Sequence, residues 1–515
     1  MTATDHARPR HHVSGGDTRR RDTRLVRLAD SVLQPGFVGT TPPDWLRRRL
    51  SDGLGGVVLF SRNIVDIEQV AALTSALLTE NPDVMIAVDE ESGDVTRLEV
   101  TSGSTRPGNY ALGWVDDPEL TEAVAADIGA QLAAAGVTMN YAPTVDVNNN
   151  PANPVIGVRS FGADPRLVSR HTSAWVRGLQ STGVAACAKH FPGHGDTGVD
   201  SHHGLPVIEA ELSRLDDVEL PPFLAAIAAG VQAIMTAHIL VPALDPERPA
   251  TMSRAVLVDL LRDRLGFTGL VVTDGIEMAS VAQRYGLGRA AVLAVAAGAD
   301  AICVGGETAT EEVAVLLRDS LVDAVISGEL PEQRLFEASQ RVAALAETSA
   351  RARASRAANG VAWGRGAGTP VGLVAARRAL RVTGSARLTG PAHVVEFSTS
   401  INLAIDSRTP WGMADAMVAL RPDTTVVRLS DSATLDDVLA GAGGRTPVLV
   451  CRDPHRYPWL MGLIKETVAA RPDAVVVEMG VPAGVPVGAA HLATHGAAPV
   501  CGQAAAEYLC GVSGI

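Results

Sequence analysis

The chain has 515 residues, of which 46% are hydrophobic and 20% are charged, so it can bury large cores and bulk disorder is not expected. This length exceeds that of one typical domain and predicts two or three. The net charge of −13 argues against binding to nucleic acids or anionic membranes, because phosphate-rich partners require a basic surface.

Residues 1–23 are polar and are predicted to form a disordered tail. No apolar segment follows its arginines, as a secretory signal would require, and no run of about 18 apolar residues predicts a transmembrane helix. The cysteines have neither paired nor metal-type spacing, which fits buried thiols in a reducing compartment: Cys187, Cys303, Cys451, Cys501 and Cys510. We therefore expect a cytoplasmic protein.

After the tail, apolar strand-like runs alternate with helical stretches. Eight strands are predicted, at Ser31–Val38, Gly56–Phe60, Val84–Val88, Thr138–Ala142, Ala185–Ala188, Ala233–Ala237, Leu270–Thr273 and Ala301–Val304. Helical stretches between them, most of which end near a glycine, include Asp66–Thr79, Pro118–Ala135, Pro165–Ser181, Glu209–Ala229 and Arg254–Leu265. Eight such units predict a TIM (β/α)8 barrel over residues 24–346, with a doubly wound open sheet as the alternative.

Residues 347–368 include the stretch AANGVAWGRGAG and are predicted to form a linker. A second set of alternating units then predicts a smaller α/β sandwich domain over residues 369–515. Its predicted strands are Val371–Ala375, Val394–Ser398, Thr424–Leu429, Pro447–Cys451 and Ala474–Glu478, and its helices include Trp411–Leu420, Leu435–Ala440 and Trp459–Ala470. This half carries no glycine-rich phosphate loop.

Polar residues follow the apolar part of five successive barrel strands. Each alone is equally consistent with a loop residue or a helix N-cap, but a barrel brings the carboxyl ends of its strands to one mouth. The residues are Asp89, Glu90, Glu91, Asp146, Lys189, His190, His238 and Asp274. The repetition predicts an active site at that end of the barrel.

Two stretches carry candidate catalytic chemistry. Asp274 directly follows a buried strand, so its carboxylate is placed to act as a nucleophile at an anomeric carbon; an N-cap role is the alternative. The loop within Ala185–Pro206 is rich in glycine and offers Asp200 and His202. The imidazole can give and take a proton near neutral pH, and the aspartate can fix its tautomer.

The same loop has a metal-binding alternative. A possible zinc ligand set is His194, Asp196, His202 and His203. No cysteine joins this set and its spacing matches no common zinc pattern, so neither a metal nor another cofactor is expected. Four further side chains near strand ends are candidates for binding sugar hydroxyls, or for pairing with Asp89 and Asp146, or for both: Arg97, Arg159, Lys189 and His190.

These residues lie in long motifs that resemble the β-N-acetylglucosaminidase branch of the family-3 glycoside hydrolases, in its two-domain form. The resemblance covers most of residues 25–345 and extends to a C-terminal part with AVVVEMGVP and AAAEYLCG. Its motifs are GGVVLFSRN, VDEESGDVTRL, MNYAPTVDVNNNPANPVIGVRSFG, KHFPGHGDTGVDSHHGLP, IMTAHI and VVTDGIEM.

The resemblance implies a retaining exo-β-N-acetylglucosaminidase (a β-N-acetylhexosaminidase) that forms a covalent glycosyl-aspartate. Asp274 matches the nucleophile, His202 the acid/base residue and Asp200 its partner. The implied substrate-binding residues are Asp89, Arg97, Arg159, Lys189 and His190. The implied substrate is terminal β-linked N-acetylglucosamine on cell-wall muropeptides, in peptidoglycan turnover, or on chitooligosaccharides.

Two departures and two alternatives accompany this resemblance. The family has two glycines and an arginine where this chain has Ser92, Gly93 and Asp94, which reverses a charge near the sugar site, and Gly275 replaces a larger residue. Some members with the Asp–His pair transfer the sugar to phosphate, so a β-N-acetylglucosaminide phosphorylase with phosphate as partner is the first alternative. A catalytically silent sugar-binding or regulatory protein is the second, against which the intact candidate residues argue.

Overall fold

The computed structural model describes residues 22–198, 204–358, 370–385, 387–399, 402, 404–482 and 484–512. The first half contains eight short parallel strands: β1 (Leu33–Pro35), β2 (Gly56–Leu59), β3 (Met85–Val88), β4 (Met139–Asn140), β5 (Ala185–Phe191), β6 (Ala233–Thr236), β7 (Leu270–Thr273) and β8 (Ile302–Val304). Strands β2 to β7 form one sheet in sequential order, and β1 pairs with β8. A parallel bridge between Val272 and Ala301 joins β7 to the β8 side, so the sheet curls as predicted for a (β/α)8 barrel.

Helices surround this sheet. They are Thr23–Ser31, Asp44–Ser51, Ile67–Glu80, Asn109–Val115, Pro118–Ala134, Pro165–Gln180, Leu212–Arg214, Leu220–Ala228, Ala279–Tyr285, Leu287–Ala297, Glu311–Ser327 and Glu332–Ala358, with wider π-type turns at Leu215–Glu219 and Ala255–Arg264. Two long helices begin at an Asp-Pro pair, in which Asp117 or Asp164 accepts a hydrogen bond from a first-turn N–H. Proline at the first helical position costs no hydrogen bond, which explains both starts.

The barrel has two cores. One lies between the strands and the surrounding helices, and the other fills the barrel interior with side chains such as Met85, Met139 and Met235. Val342, Leu345 and Ala346 from the helix Glu332–Ala358 join the interior core. The chemistry is therefore confined to the opposite, carboxyl end of the strands.

Several element predictions differ from the structure. The first strand is shorter than Ser31–Val38, because Ser31 still belongs to the helix Thr23–Ser31. The helix Glu332–Ala358 continues through the first twelve residues of the segment 347–368 that was predicted to be a linker. The domain boundaries themselves stay predictions.

The second half contains a six-stranded sheet. Its strands are β9 (Arg381–Gly384), β10 (Ala392–Phe397), β11 (Thr425–Leu429), β12 (Thr446–Cys451), β13 (Val475–Glu478) and β14 (Ala490–Ala493), in the order β11-β10-β12-β13-β14-β9 with β9 antiparallel. Its helices are Pro370–Ala379, Ala414–Leu420, Leu435–Leu439, Pro458–Ala470 and Pro499–Cys510. This is a C-terminal α/β domain, and its strand order reverses direction between β10 and β12, which is the usual ligand position in such sheets.

One predicted strand of this domain is wrong. Residues Val371–Ala375 lie in the helix Pro370–Ala379, which packs against the helices Asn109–Val115 and Pro499–Cys510. A short apolar run does not distinguish a buried helix from a strand. Strands β9 and β14 were not predicted, since β9 is mostly exposed and lacks an apolar run.

The two halves meet near the end of β10. The side-chain amide of Asn402 donates to the carbonyl of Val155 at 2.6 Å, and Arg97 Nη2 donates to the carbonyl of Ala404 at 2.9 Å. The switch point of the second sheet therefore faces the mouth of the barrel.

No helix among the described residues is both long enough and apolar enough to cross a membrane.

Candidate active site

A cavity of about 400 Å³ opens at the carboxyl ends of the barrel strands. All five predicted substrate-binding residues and the predicted nucleophile line it: Asp89, Arg97, Arg159, Lys189, His190 and Asp274. They come from β5 and from the segments that follow β3, β4 and β7, far apart in the chain. The barrel brings them together as the sequence pattern predicted.

Glu91 lies at the centre of a group of buried polar side chains on one side of the cavity, which we call the buried polar wall. Arg159 donates to it through Nε at 2.9 Å and Nη2 at 2.7 Å, and Lys189 Nζ lies 2.7 Å from Oε1. The hydroxyl of Thr144 adds a fourth donor at 3.1 Å. Burial favours the neutral carboxyl, but Arg159 and Lys189 outweigh it and hold the pKa of Glu91 well below its usual range. Glu91 is therefore an anion that fixes two cations beside the cavity.

Lys189 joins Glu91 to Asp89. Its ammonium lies 2.6 Å from Asp89 Oδ1, and its side chain is only 2% exposed whereas that of Asp89 is 23% exposed. Burial favours neutral Lys189, but Asp89 and Glu91 prevail and raise its pKa. The expected pairing of Lys189 with Asp89 thus coexists with exposure of Asp89 to the cavity, where a carboxylate can accept hydrogen bonds from hydroxyls.

Asp146 orients His190. His190 Nδ1 lies 2.7 Å from Asp146 Oδ2, and the backbone N–H groups of His190 and His194 donate to Oδ1 at 3.1 and 2.7 Å. Burial alone raises the pKa of Asp146, but the two histidines lower it overall. The other ring nitrogen of His190, Nε2, lies 3.4 Å from Arg159 Nη2.

Asp274 directly follows β7. Its Oδ1 accepts the N–H of Gly275 at 2.8 Å, and its own N–H donates to the carbonyl of Thr236 on β6 at 3.2 Å. The carbonyl of Gly275 is bonded by His238 Nε2 at 2.9 Å. These backbone bonds fix the start of the loop, so Asp274 lines the cavity from the side opposite β3. A Cβ at Gly275 would make ordinary contacts, so space does not explain this glycine.

Asp200 and His202 lie outside the described residues, and so does His203. Two other members of the possible zinc set are described. His194 Nδ1 lies 2.8 Å from the hydroxyl of Thr197, and Asp196 forms an ion pair with Arg214 at 3.4 Å. Within the described ranges, no three His, Cys, Asp or Glu side chains are arranged to hold a metal ion.

Asp94 lies beside the site, as expected, where it lines a small adjoining pocket with Glu91 and Arg159. It is absent from the described residues that line the cavity, and its Oδ1 accepts the N–H of Ala497 from the second domain at 2.8 Å. The charge reversal relative to the family therefore acts at the contact between domains. Arg97 remains at the cavity, and its guanidinium also holds the carbonyl of Ala404.

Sequence reasoning missed the contribution of the second domain. Ala404, Asp406 and Arg408 line the cavity, although more than 100 residues separate them from Asp274. No local sequence pattern marks them, because they reach the cavity only through the packing of the second domain against the barrel. The role of Glu91 was missed as well, although its position two residues after Asp89 and its strand-end location are the signal that could have found it.

A polar cavity at the carboxyl ends of the strands is the place where TIM-barrel enzymes hold their substrates. A family model described as the glycosyl hydrolase family 3 N-terminal domain matches residues 41–345. The chain belongs to glycosyl hydrolase family 3 and is a glycoside hydrolase.

Named relatives are consistent with this assignment. The beta-hexosaminidase A of Pseudoalteromonas piscicida is 34% identical over 331 residues, which cover 59% of this chain and 55% of the relative. The beta-hexosaminidase of Thiobacillus denitrificans is 39% identical over 295 residues, covering 55% of this chain and 81% of the relative. The chain thus spans about half the length of the first of these relatives.

A solved structure resembles both halves of the chain. The glycoside hydrolase family 3 beta-N-acetylglucosaminidase from Paenibacillus sp. str. FPU-7 has a TM-score of 0.85 and 35% sequence identity, and the match covers 95% of this chain and 96% of that one. The barrel and the C-terminal α/β domain therefore occur together in a protein of the same family.

Proposed function

We propose that the protein is a retaining exo-β-N-acetylglucosaminidase that releases terminal β-linked N-acetylglucosamine. The observation that carries the proposal is Asp274 in a cavity whose opposite wall holds Asp89, Lys189, His190 and Arg159. Carboxylate, ammonium, imidazole and guanidinium groups supply the acceptors and donors that a pyranose ring needs. The names of the relatives, beta-hexosaminidase and beta-N-acetylglucosaminidase, favour this sugar.

In the proposed mechanism, Asp274 attacks the anomeric carbon and forms a covalent glycosyl-enzyme ester. His202 gives its proton to the departing glycosidic oxygen while that bond breaks, and Asp200 stabilises the imidazole. His202 then takes a proton from water, which attacks the same carbon and releases Asp274. Two displacements return the β-configuration of the product.

The substrates we propose are cell-wall muropeptides, as part of peptidoglycan turnover, and chitooligosaccharides. We also propose a cytoplasmic location, which the cysteines support. All five are free thiols, and four of them are buried. Burial raises the pKa of Cys187 and Cys303, so these thiols are protonated and unreactive at neutral pH. Fractionation of native cells tests the location.

The phosphorylase alternative receives no support from the comparisons. The relatives and the structure described above carry the names of hydrolases. Two of the cations that line the cavity, Lys189 and Arg159, are engaged by Glu91. We therefore propose water as the acceptor.

Trapping the intermediate tests the proposal. A 5-fluoro-N-acetylglucosaminyl fluoride should accumulate a glycosyl-enzyme, and mass spectrometry of its peptides should place the sugar on Asp274. Hydrolysis of an aryl β-N-acetylglucosaminide followed by NMR should show the β-anomer first, with equal rates whether phosphate is present or absent. A sugar on another residue, an α-anomer as first product, or sugar-1-phosphate formation would each contradict the proposed mechanism.

A further inference from the structure

The cavity has a buried end and an exposed end. At the buried end the side chains of Lys189 and Glu91 are 2% and 3% exposed. At the other end Arg408 and Asp406 are 50% and 21% exposed, and Glu307 is exposed as well. An exo-acting enzyme encloses the terminal sugar and leaves the rest of the substrate toward solvent. The exposed end therefore faces the leaving group.

The exposed end is built in part by residues Ala404–Arg408, which we call the mouth segment. It follows β10 at the switch point of the second sheet, where ligands of such sheets usually bind. Two bonds to the barrel fix it: Arg97 Nη2 donates to the carbonyl of Ala404 at 2.9 Å, and Ser61 hydrogen-bonds the carboxylate of Asp406. The mouth segment is therefore held over the cavity by the barrel itself.

Within the mouth segment, Asp406 and Arg408 form a rigid donor and acceptor pair. Arg408 donates to Asp406 from its backbone N–H at 2.9 Å, from Nε at 3.1 Å and from Nη2 at 3.0 Å. The guanidinium has five N–H groups, and two of them are used in this pair. A fixed guanidinium that lines a cavity loses little conformational freedom when it binds a ligand.

The charges at this end balance. Among the described residues, the charged side chains that line the cavity around this end are three cations, Arg62, Arg97 and Arg408, and three anions, Glu277, Asp406 and Glu307. The guanidinium of Arg62 is engaged by the carbonyls of Phe37 and Gly306 at 3.0 and 2.7 Å. A balanced set of donors and acceptors suits an uncharged ring with several hydroxyls better than a carboxylate, which would meet three acidic side chains.

We propose that the mouth segment forms the aglycone subsite and that Arg408 and Asp406 recognise a neutral sugar residue as the leaving group. The second domain thereby contributes the preference for the leaving group, whereas the barrel binds the terminal sugar. This inference rests on the proposed function. It predicts that this chain prefers chitobiose-like substrates to substrates whose second sugar carries a carboxylate.

Steady-state kinetics of Arg408→Ala on two substrates test the inference. Chitobiose offers a sugar as leaving group, whereas an aryl β-N-acetylglucosaminide offers a small ring that needs no hydroxyl recognition. We expect kcat/KM for chitobiose to fall by about 10-fold to 100-fold, since a hydrogen bond from a charged group is lost, and kcat/KM for the aryl substrate to change by less than about 3-fold. Asp406→Asn should show the same selectivity with a smaller loss.

Arg471→Ala is the matched control. Arg471 pairs with Asp473, two residues away, through Nε at 2.9 Å and Nη2 at 2.8 Å, but it does not line the cavity. It should leave both substrates unaffected. Equal losses on both substrates in Arg408→Ala, or no loss on either, would overturn the inference. The proposed function would still hold in that case if the wild-type protein turned over the aryl substrate. No wild-type turnover of either substrate would overturn both.

A third substrate tests the charge argument. In a disaccharide whose second sugar carries a 3-O-lactyl group, a carboxylate reaches the same end of the cavity. We expect wild-type kcat/KM to be at least as high for chitobiose as for this substrate. A clear preference for the lactyl substrate that disappears in Arg408→Ala would show an anion subsite and overturn the neutral assignment.

Discussion

The substitution Glu91→Gln tests whether one buried carboxylate organises the sugar-binding wall. Glutamine keeps the shape of the side chain but removes its charge, and its amide N–H groups face the donors Arg159, Lys189 and Thr144. Breaking a buried ion pair by removing one partner is worth about 3–5 kcal/mol, because the other charge stays buried without compensation. Glu91 is 3% exposed and receives three charged contacts of 2.7–2.9 Å, but Lys189 keeps Asp89 as a second partner, so we expect the lower end of this range, about 3 kcal/mol.

The assay is urea unfolding followed by intrinsic fluorescence, together with KM for an aryl β-N-acetylglucosaminide. Glu122→Gln is the matched control. Glu122 receives Nε and Nη2 of Arg177 at 3.0 and 2.8 Å, but both side chains are about half exposed, so we expect a loss of at most about 1 kcal/mol. KM should rise in Glu91→Gln and stay constant in the control. If both variants lost the same stability and kept KM, Glu91 would not organise this wall.

Three further outcomes follow from the site. Asp274→Ala should lower kcat by several orders of magnitude, because no other group can form the glycosyl ester; a near-normal rate in stopped assays would end the assignment. His202→Ala should impair substrates with poor leaving groups far more than those with good ones, whereas His203→Ala should not; equal losses in a leaving-group series would contradict the acid role. Burial, helped by the neighbouring charge of His190, lowers the pKa of His194 to about 4 from 6.5, so its contribution to stability is complete above pH 6.5 and is lost as pH falls toward 4. His194→Gln should reduce that acid loss by up to about 3 kcal/mol, and parallel pH curves of unfolding free energy for both proteins would refute this.

The barrel was predictable because its strands are buried on both faces and read as apolar runs with polar ends. Leu270–Thr273 was located to the residue, and Asp274 followed from it. The strand-end rule also brought Asp89, Lys189 and His190 to one cavity. These predictions needed only local periodicity and the geometry of parallel strands.

What could not be predicted depends on contacts between distant segments. Asp94 was expected near the sugar site and lies there, but its hydrogen-bond partner, a backbone N–H about 400 positions later in the chain, could not be foreseen. Val371–Ala375 lies in the helix Pro370–Ala379, in which Gly372 comes so close to Thr105 that a Cβ there would clash with its carbonyl. Arg408 gave no signal, because its position in the cavity follows from how the domains pack.

Because the mouth segment belongs to the second domain, the reacting groups and the proposed recognition of the leaving group lie in different domains, whereas many enzymes build both from one set of loops. The groups that we propose to act at the anomeric carbon come from the barrel, whereas the rim that we assign to the departing half of the substrate comes from a sheet encoded later in the gene. Loop exchange after β10 could therefore alter which glycosides are accepted while the reacting centre stays intact. Diversification of such proteins can proceed in one half without endangering the other.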